Sequence, residues 1–269
     1  MPQTLADLSS TSLITAIEAS LREFWKNWGS APRSELYDGL DMLRLYTGVP
    51  YPFCNGVVCA NLSKDCLDPT IEATLMYFGE RHATWEWTVG PQAQPAGLKA
   101  RLEAYGLTVC GESVGMAIDL HAMNENILFP DDVVIRPVGD RQTLEAWANT
   151  VVAGFESPEL FPTFVDLECS LECGRQPSYR RYLGLLNHQP VATSALFLGE
   201  TVAGIYCVST VPAARRQGIG AVITLAALRE ARAMGYRVAV LQASRMGRDV
   251  YRRLGFQEYS MLRNHRPTV

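Results

Sequence analysis

The sequence predicts a mixed α/β (α+β) fold in which two similar halves each form a central, mostly antiparallel mixed sheet flanked by helices. Three observations predict it. Amphipathic helical patterns alternate with short strand-like runs along the chain. Strand-like runs in the second half are separated by tight turns, which favours antiparallel hairpins. A helix–glycine–strand segment also occurs twice, at residues 100–107 and 249–256.

Length and composition bound the class of protein. The chain has 269 residues, enough for two domains, and its 48% hydrophobic and 19% charged residues are typical of a folded protein with a large core. A formal net charge of −4 excludes a globally basic surface. We therefore expect no nucleic-acid partner and no membrane partner, and any phosphate site must be local. The sequence lacks the run of about 18 uncharged apolar residues that predicts a membrane span.

Cysteine usage indicates a reducing compartment. The seven cysteines are odd in number and irregularly spaced, and the polar N-terminal stretch lacks the pattern of a secretory signal. We expect a cytoplasmic protein with free thiols. Because there is no C-x-x-C pair, no metal site is predicted.

Elements of the first half follow from hydrophobic spacing. Apolar residues at gaps of three and four predict an amphipathic helix, and strict alternation predicts a strand. Helices are predicted over 11–28, 36–46, 68–78 and 95–105, and strands over 55–62, 83–89 and 114–120. Asp68 and Pro69 resemble the first turn of their helix. Trp85 and Trp87 alternate with Glu86 on a strand, which favours core packing of this half.

The second half begins after a polar segment, residues 121–132, and we predict domains over 1–126 and 132–269. Strands are predicted over 133–138, 179–186, 191–198, 202–211, 236–243 and 256–263, with helices over 141–154, about 159–173 and 246–254, and a further helix from the glycine motif to about residue 233. Asp140 is the expected cap of the first of these helices. Aligning Gly106 with Gly255 superimposes the two halves, each of which has the order strand, helix, strand, helix, strand.

The strongest motif is Arg215-x-x-Gly218-x-Gly220, between a strand and a helix. The first turn of a helix has unpaired N–H groups and a partial positive charge, so it can hold an anion. Glycines leave those N–H groups accessible. A nucleotide-binding P-loop would need Gly-Lys-Ser/Thr, which is absent, and a dinucleotide fingerprint would need glycine where Ile223 stands. The motif therefore indicates a pyrophosphate site of another kind.

Together with a second motif, this turn resembles the GCN5-related N-acetyltransferases. The first motif comprises Val211-Pro212, Arg215, Gly218 and Gly220; the second is Tyr251-x-x-Leu254-Gly255-Phe256. The resemblance covers residues 133–263. The first half, with WTVGP at 87–91 and GMAIDL at 115–120, resembles the degenerate N-terminal copy of tandem members.

The resemblance implies acetyl-coenzyme A as the donor. Its pyrophosphate is expected on the turn and its pantetheine arm along the edge of the preceding strand. The implied binding residues are Val208, Ser209, Thr210, Val211, Arg215, Arg216, Gln217, Gly218, Ile219, Gly220, Ala221 and Ser244. Tyr251 matches the family tyrosine that protonates the leaving thiolate, a role that suits a phenol with a pKa of about 10.

Two departures from the family pattern matter. Ser244 stands where many members have an asparagine that binds the cofactor arm. Strand 202–211 lacks the glutamate that serves many members as general base. Base identity stays open among Glu156, Asp166, Glu168, Glu172, His188 and water. The N-terminal copy has no glycine motif, and Leu102 replaces the tyrosine, so we expect no chemistry there.

The resemblance implies transfer of an acetyl group to a primary amine by direct attack in a ternary complex. The acceptor, a small molecule or a peptide, is not identified, and a homodimer is a possible assembly. A non-catalytic acyl-coenzyme A sensor or scaffold is the alternative, since the strand glutamate is missing. Aminoacyl transfer from charged tRNA is a third reading, and the acidic net charge disfavours it.

Overall fold

The computed structural model describes residues 4–171 and 178–268. In the first half the helices and strands are α1 (Ser10–Gly29), β1 (Glu35–Asp38), β2 (Leu43–Tyr46), β3 (Asn55–Val58), α2 (Lys64–Glu80), β4 (Glu86–Val89), α3 (Leu98–Ala104) and β5 (Leu107–Asp119). In the second half they are β6 (Val133–Pro137), α4 (Arg141–Gly154), α5 (Phe161–Ser170), β7 (Tyr179–Leu186), β8 (Gln189–Leu198), β9 (Ala203–Thr210), α6 (Ile219–Ala233), β10 (Val238–Ala243), α7 (Arg248–Leu254) and β11 (Gln257–Pro267). The predicted mixed α/β architecture is confirmed.

The two halves exchange their last strands. Within the described residues the strands form one sheet in the order β1-β2-β3-β4-β11-β5-β10-β9-β8-β7-β6. Strand β11 of the second half pairs antiparallel with β4 of the first, and β5 of the first half pairs antiparallel with β10 of the second. These two long strands also pair with each other. The sheet therefore runs unbroken through both predicted domains.

The aligned glycines Gly106 and Gly255 hold equivalent places. Each follows a seven-residue helix and precedes a long strand, and each has a positive φ, +82° and +107° respectively. Glycine adopts this left-handed conformation without the strain that a Cβ would cause. The local repeat seen in the sequence is thus present in the backbone.

Several predicted elements of the first half differ in the structure: β3 ends at Val58 and β5 begins at Leu107, against predicted strands over 55–62 and 114–120. Residues 36–46, predicted as a helix, form the antiparallel hairpin of β1 and β2, with Glu35 opposite Tyr46. Its tip contains Gly39, whose N–H donates to the carbonyl of Met42, and tertiary pairing with β3 overrides the helical spacing. Helix α2 begins earlier than predicted, because the Ser63 hydroxyl caps it and leaves Pro69 inside the helix.

Helix α1 joins the first half to the sheet of the second. The Phe24 ring stacks on Tyr206 of β9 with centroids 3.8 Å apart. The hydroxyls of Ser20 and Tyr206 lie 2.9 Å apart, and the Gln242 amide of β10 donates to the carbonyl of Ile17. These contacts place α1 beside the junction of β9 and β10. None of the described helices is long and apolar enough to cross a membrane.

A buried polar network links the halves a second time. Glu168 on α5 is fully buried and forms an ion pair with Arg181 of β7 at 2.6 Å. Its other oxygen accepts from the Trp28 indole of α1 at 2.9 Å and from the Tyr179 hydroxyl at 3.2 Å. The network satisfies a carboxylate that would otherwise be costly to bury.

Candidate active site

The site is built where two parallel strands separate. Strands β9 and β10 pair only at Ala203 with Ala239 and at Gly204 with Val240. Beyond these pairs β9 continues to Thr210 with its edge towards β10 unpaired, while β10 remains paired with β5. A cavity of about 330 Å³ opens at this point, lined by Val208 of β9, Leu241 of β10 and residues of both halves.

A bulge in β9 shapes the mouth of the cavity. Thr193 of β8 pairs with Ser209, but Ala195 pairs with Tyr206, so Cys207 and Val208 together oppose one residue of β8. Cys207 has a φ of +48°, and its carbonyl accepts from the Thr193 hydroxyl at 2.7 Å. A bulge of this kind turns the strand and redirects backbone groups towards a neighbouring site.

The Gly-x-Gly turn has the backbone of an anion cradle. Arg216 and Gly218 both have positive φ, +64° and +82°, and Gly218 precedes the first residue of α6. Among the described residues, the N–H groups of residues 216–220 have no protein acceptor. Free N–H groups in such a turn, at the positive end of a helix, form a concave anion-binding surface.

The two glycines have different reasons to be glycine. A Cβ on Gly218 would lie 2.1 Å from the carbonyl oxygen of Leu128, in the segment that joins the halves. Gly218 is therefore required by its φ and by the close passage of this segment. Among the described residues, a Cβ on Gly220 would meet only the Thr210 hydroxyl, at 3.4 Å, so no close protein contact requires glycine at this position.

The guanidinium of Arg215 bonds to groups of the protein itself. Its guanidinium donates to the carbonyls of Thr210 and Gly154 at 3.1 and 2.8 Å, and forms an ion pair with Glu156 at 2.6 Å. It thereby ties the end of β9 to the end of α4. Arg216 and Gln217 are exposed on the turn. Of the two neighbouring arginines, Arg216 is therefore the one that an anion can reach.

Tyr251 of α7 faces the same cavity from the other side. It is buried, its ring packs edge-on against Phe256 at 5.8 Å, and it lines the cavity. A Cβ at Gly247 would lie 2.9 Å from the tyrosine ring, so this glycine makes room for it. Burial raises the pKa of the Tyr251 hydroxyl, which keeps its proton at neutral pH.

The other predicted binding residues are divided between β9, the first turn of α6 and the cavity. Ser209 is buried, contacts the Thr193 hydroxyl at 2.8 Å and donates to the carbonyl of Thr150. The N–H of Val211 donates to Val191, so its donor is occupied. Ser244 lines the cavity, and its hydroxyl accepts from the N–H of Gly247. Ile219 and Ala221 are buried in the first turn of α6.

The predicted base candidates lie away from the cavity lining. Glu156 pairs with Arg215, Glu168 belongs to the buried network, and Asp166 and His188 are exposed. Glu172 falls outside the described residues. None of the four described candidates lines the cavity.

Two carboxylates of the first half, Glu86 and Glu112, do line the cavity, and Glu86 is the buried one. Glu86 on β4 lines the cavity together with Thr88, while Trp87 between them is buried in the core of the first half. Glu86 is only 3% exposed. Strict alternation along WEWT signals only the face that Glu86 takes, because a strand with two core tryptophans must turn the residue between them to the other face; the pairing of distant strands then brings that face to the cavity.

Comparisons with known proteins agree with this geometry. Residues 144–256 match the model of the acetyltransferase (GNAT) family. None of the curated proteins matches the chain significantly.

Among solved structures, the fold is similar to a GCN5-related N-acetyltransferase from Kribbella flavida, with 19% identity over 97% of this chain and 96% of that one and a TM-score of 0.69. It is also similar to a GCN5-related N-acetyltransferase from Sphaerobacter thermophilus, with 17% identity over 96% and 92% and a TM-score of 0.63. A tandem GNAT protein from the clavulanic acid biosynthesis pathway shares 12% identity over 100% and 99%, with a TM-score of 0.58. These likenesses show the fold.

Proposed function

We propose, from the premise that residues 144–256 form a domain of the acetyltransferase (GNAT) family, that this protein transfers an acetyl group from acetyl-coenzyme A to a primary amine. The observation that carries the proposal is the run of free N–H groups at residues 216–220 beside strands that separate. One element suits a pyrophosphate, and the other offers a strand edge to an extended amide chain.

The residues present fit acetyl-coenzyme A. The turn at 216–220, with Arg216 open to solvent, would hold the pyrophosphate. The edge of β9 at Val208 would hold the pantetheine arm, and Ser244 lies across the cavity. When bound, acetyl-coenzyme A supplies an acetyl thioester that an amine can attack.

The chain's own groups then provide a proton and an electrostatic environment. The Tyr251 hydroxyl, protonated at neutral pH because burial raises its pKa, can donate to a sulfur that gains negative charge. Backbone N–H groups of the bulged β9 would stabilise the thioester carbonyl oxygen as its charge grows. Direct attack needs both substrates in one cavity, and the cavity reaches from β9 and Tyr251 into the first half.

A coenzyme A release assay over a panel of primary amines tests the proposal. We expect acetyl-coenzyme A turnover that depends on the amine, with the acetylated amine identified by mass spectrometry. Binding of acetyl-coenzyme A without turnover on every amine would instead support the sensor, and absence of binding would contradict both.

A further inference from the structure

The cavity beside Tyr251 has apolar walls supplied by both halves. Tyr51 and Phe53 come from the first half, and Phe155 and Phe164 from the second. Tyr51 and Phe155 face each other with ring centroids 6.3 Å apart. A cavity with these walls favours an aromatic or alkyl body over a polar chain.

Three charged residues line this cavity: Glu86, Glu112 and Arg266. Glu112 lines it but is half exposed and paired with Arg263 at 2.9 Å. Glu86 is buried, and its Oε2 accepts from the Arg266 guanidinium at 3.2 Å. Its Oε1 has no hydrogen-bond partner among the described residues. One carboxylate oxygen, set in apolar walls, is thus available to a cationic ligand.

We propose that Glu86 receives the ammonium group of an acceptor whose body is an arylalkyl or alkyl chain, and acts as the general base that removes its proton. This inference rests on the proposed acetyl transfer. The base would then come from the half that lacks the glycine motif, and this explains why strand 202–211 needs no glutamate of its own. The first half thus completes the active site of the second.

Every proton of the ammonium group is accounted for in the proposed transfer. An ammonium group has three protons, and the product amide keeps one. Glu86 takes the first and passes it to solvent, which frees the nitrogen lone pair to attack the thioester carbonyl carbon. As the carbon–sulfur bond breaks, its electron pair stays on sulfur, and Tyr251 delivers a proton there. The second nitrogen proton restores the tyrosine through water.

The environment of Glu86 suits this role. Burial raises the pKa of Glu86 above its ordinary value, and the nearby Arg266 guanidinium partly opposes the rise. A carboxylate with a raised pKa is a stronger base, and a base is most effective when its pKa approaches the working pH.

The test compares 2-phenylethylamine with ethanolamine as acceptors at saturating acetyl-coenzyme A. The wild-type protein is expected to prefer 2-phenylethylamine in kcat/KM by about 50-fold, because apolar contacts in a pocket discriminate by this order. Glu86→Gln is expected to lower kcat for 2-phenylethylamine by about 100-fold and to remove the acidic limb of its pH profile. The Kd of acetyl-coenzyme A, measured by titration calorimetry, is expected to stay unchanged.

Glu35→Gln is the matched control. It also removes a carboxylate from an arginine pair of the first half, Glu35 with Arg81 at 2.8 Å, but outside the cavity lining. Its kcat and pH profile are expected to match the wild type.

The outcomes separate the two proposals. If no amine is acetylated, the acetyltransferase proposal fails. If 2-phenylethylamine is acetylated but Glu86→Gln keeps the wild-type kcat and pH profile, only the role of Glu86 fails. A lower melting temperature with unchanged kinetics would show that Glu86 serves only to pair Arg266. A preference for ethanolamine would overturn the predicted substrate class.

Discussion

Helices α2 and α6 hold equivalent places in the two halves, but their first turns differ. At α2, the Ser63 hydroxyl accepts from the N–H of Cys66, and the cap is an ordinary one. At α6, Gly218 takes the cap position in a left-handed conformation and supplies no side-chain oxygen. The cap side chain thus accepts from one first-turn N–H of α2, whereas α6 has no side-chain cap. The first turn of α6 can hold an anion because no described protein group accepts from the N–H groups of residues 216–220.

The gap between the parallel strands shows the same contrast. After β3 and β4 pair, the chain of the first half bridges the gap again: Gln94 donates to Ala60, and Leu62 donates to Gln94. No such bridge follows the β9–β10 pairs within the described residues. The first half thus closes the gap that the second half leaves open between its parallel strands.

The largest expected effect concerns how far the halves depend on each other. Glu168→Gln removes the charge that balances buried Arg181 and should lower the free energy of unfolding by about 3–5 kcal/mol. Because the network includes Trp28 of the first half, urea unfolding should keep one cooperative transition at a lower midpoint. Glu145→Gln, in the exposed pair with Arg141, should cost less than about 0.5 kcal/mol. Two separate transitions would contradict this linkage.

Equivalent positions on α3 and α7 provide the next test. Tyr251→Phe keeps the ring packed on Phe256 and should lower kcat about 100-fold with the acetyl-coenzyme A Kd unchanged. Leu102→Ala, in the core of the first half, should cost about 2–5 kcal/mol of stability and leave kcat per folded molecule intact. An unchanged kcat in Tyr251→Phe would contradict the proposed role of the tyrosine as proton donor to the leaving sulfur.

A smaller effect is expected at the capped helix. Ser63→Ala should lower stability by about 1 kcal/mol, since one N–H of α2 loses its acceptor. Thermal unfolding measures this change. The Kd of acetyl-coenzyme A should be the same in Ser63→Ala as in the wild type. A weaker affinity would mean that the first half takes part in binding the cofactor.

The smallest effect is a pH dependence at the exchanged strand. His265 of β11 is fully buried beside Trp87, and burial lowers its pKa. The folded state therefore disfavours the protonated ring, while the unfolded chain binds a proton below about pH 6.5. Stability should fall as the pH drops through this value, by at most about 1.4 kcal/mol per unit. Urea unfolding of His265→Leu should show a shallower dependence, and an equal slope would exclude this histidine.

The sequence predicted features that depend on local chemistry. The helix–glycine–strand repeat aligned on Gly106 and Gly255, the cap at Asp140 and the glycine turn each follow from residues close in the chain. The hairpin at 36–46 was predicted wrongly, since its apolar spacing suits a helix and only pairing with β3 decides otherwise. The strand exchange was not predictable, because local sequence does not determine which distant strand β5 or β11 pairs with.

The site residues also divide into those that are close in the chain and those that long-range strand pairing brings together. The turn at 215–220 is contiguous, so its residues could be read together. Glu86 could not be assigned to the site from sequence, because it joins Tyr251 only through the pairing of β4 with β11 and of β5 with β10. The carboxylates proposed from chain order were those of the second half, where the structure uses Glu156 and Glu168 in internal pairs.

The central claim is that one half binds the cofactor and the other does not. Titration calorimetry with acetyl-coenzyme A tests it most directly. We predict one site per chain, abolished by Gly220→Glu, a change that fits the structure but sets a negative charge among the free N–H groups. Gln142→Glu, which places the same charge in the first turn of α4, should bind like the wild type. Two sites per chain, or wild-type affinity in Gly220→Glu, would contradict the account.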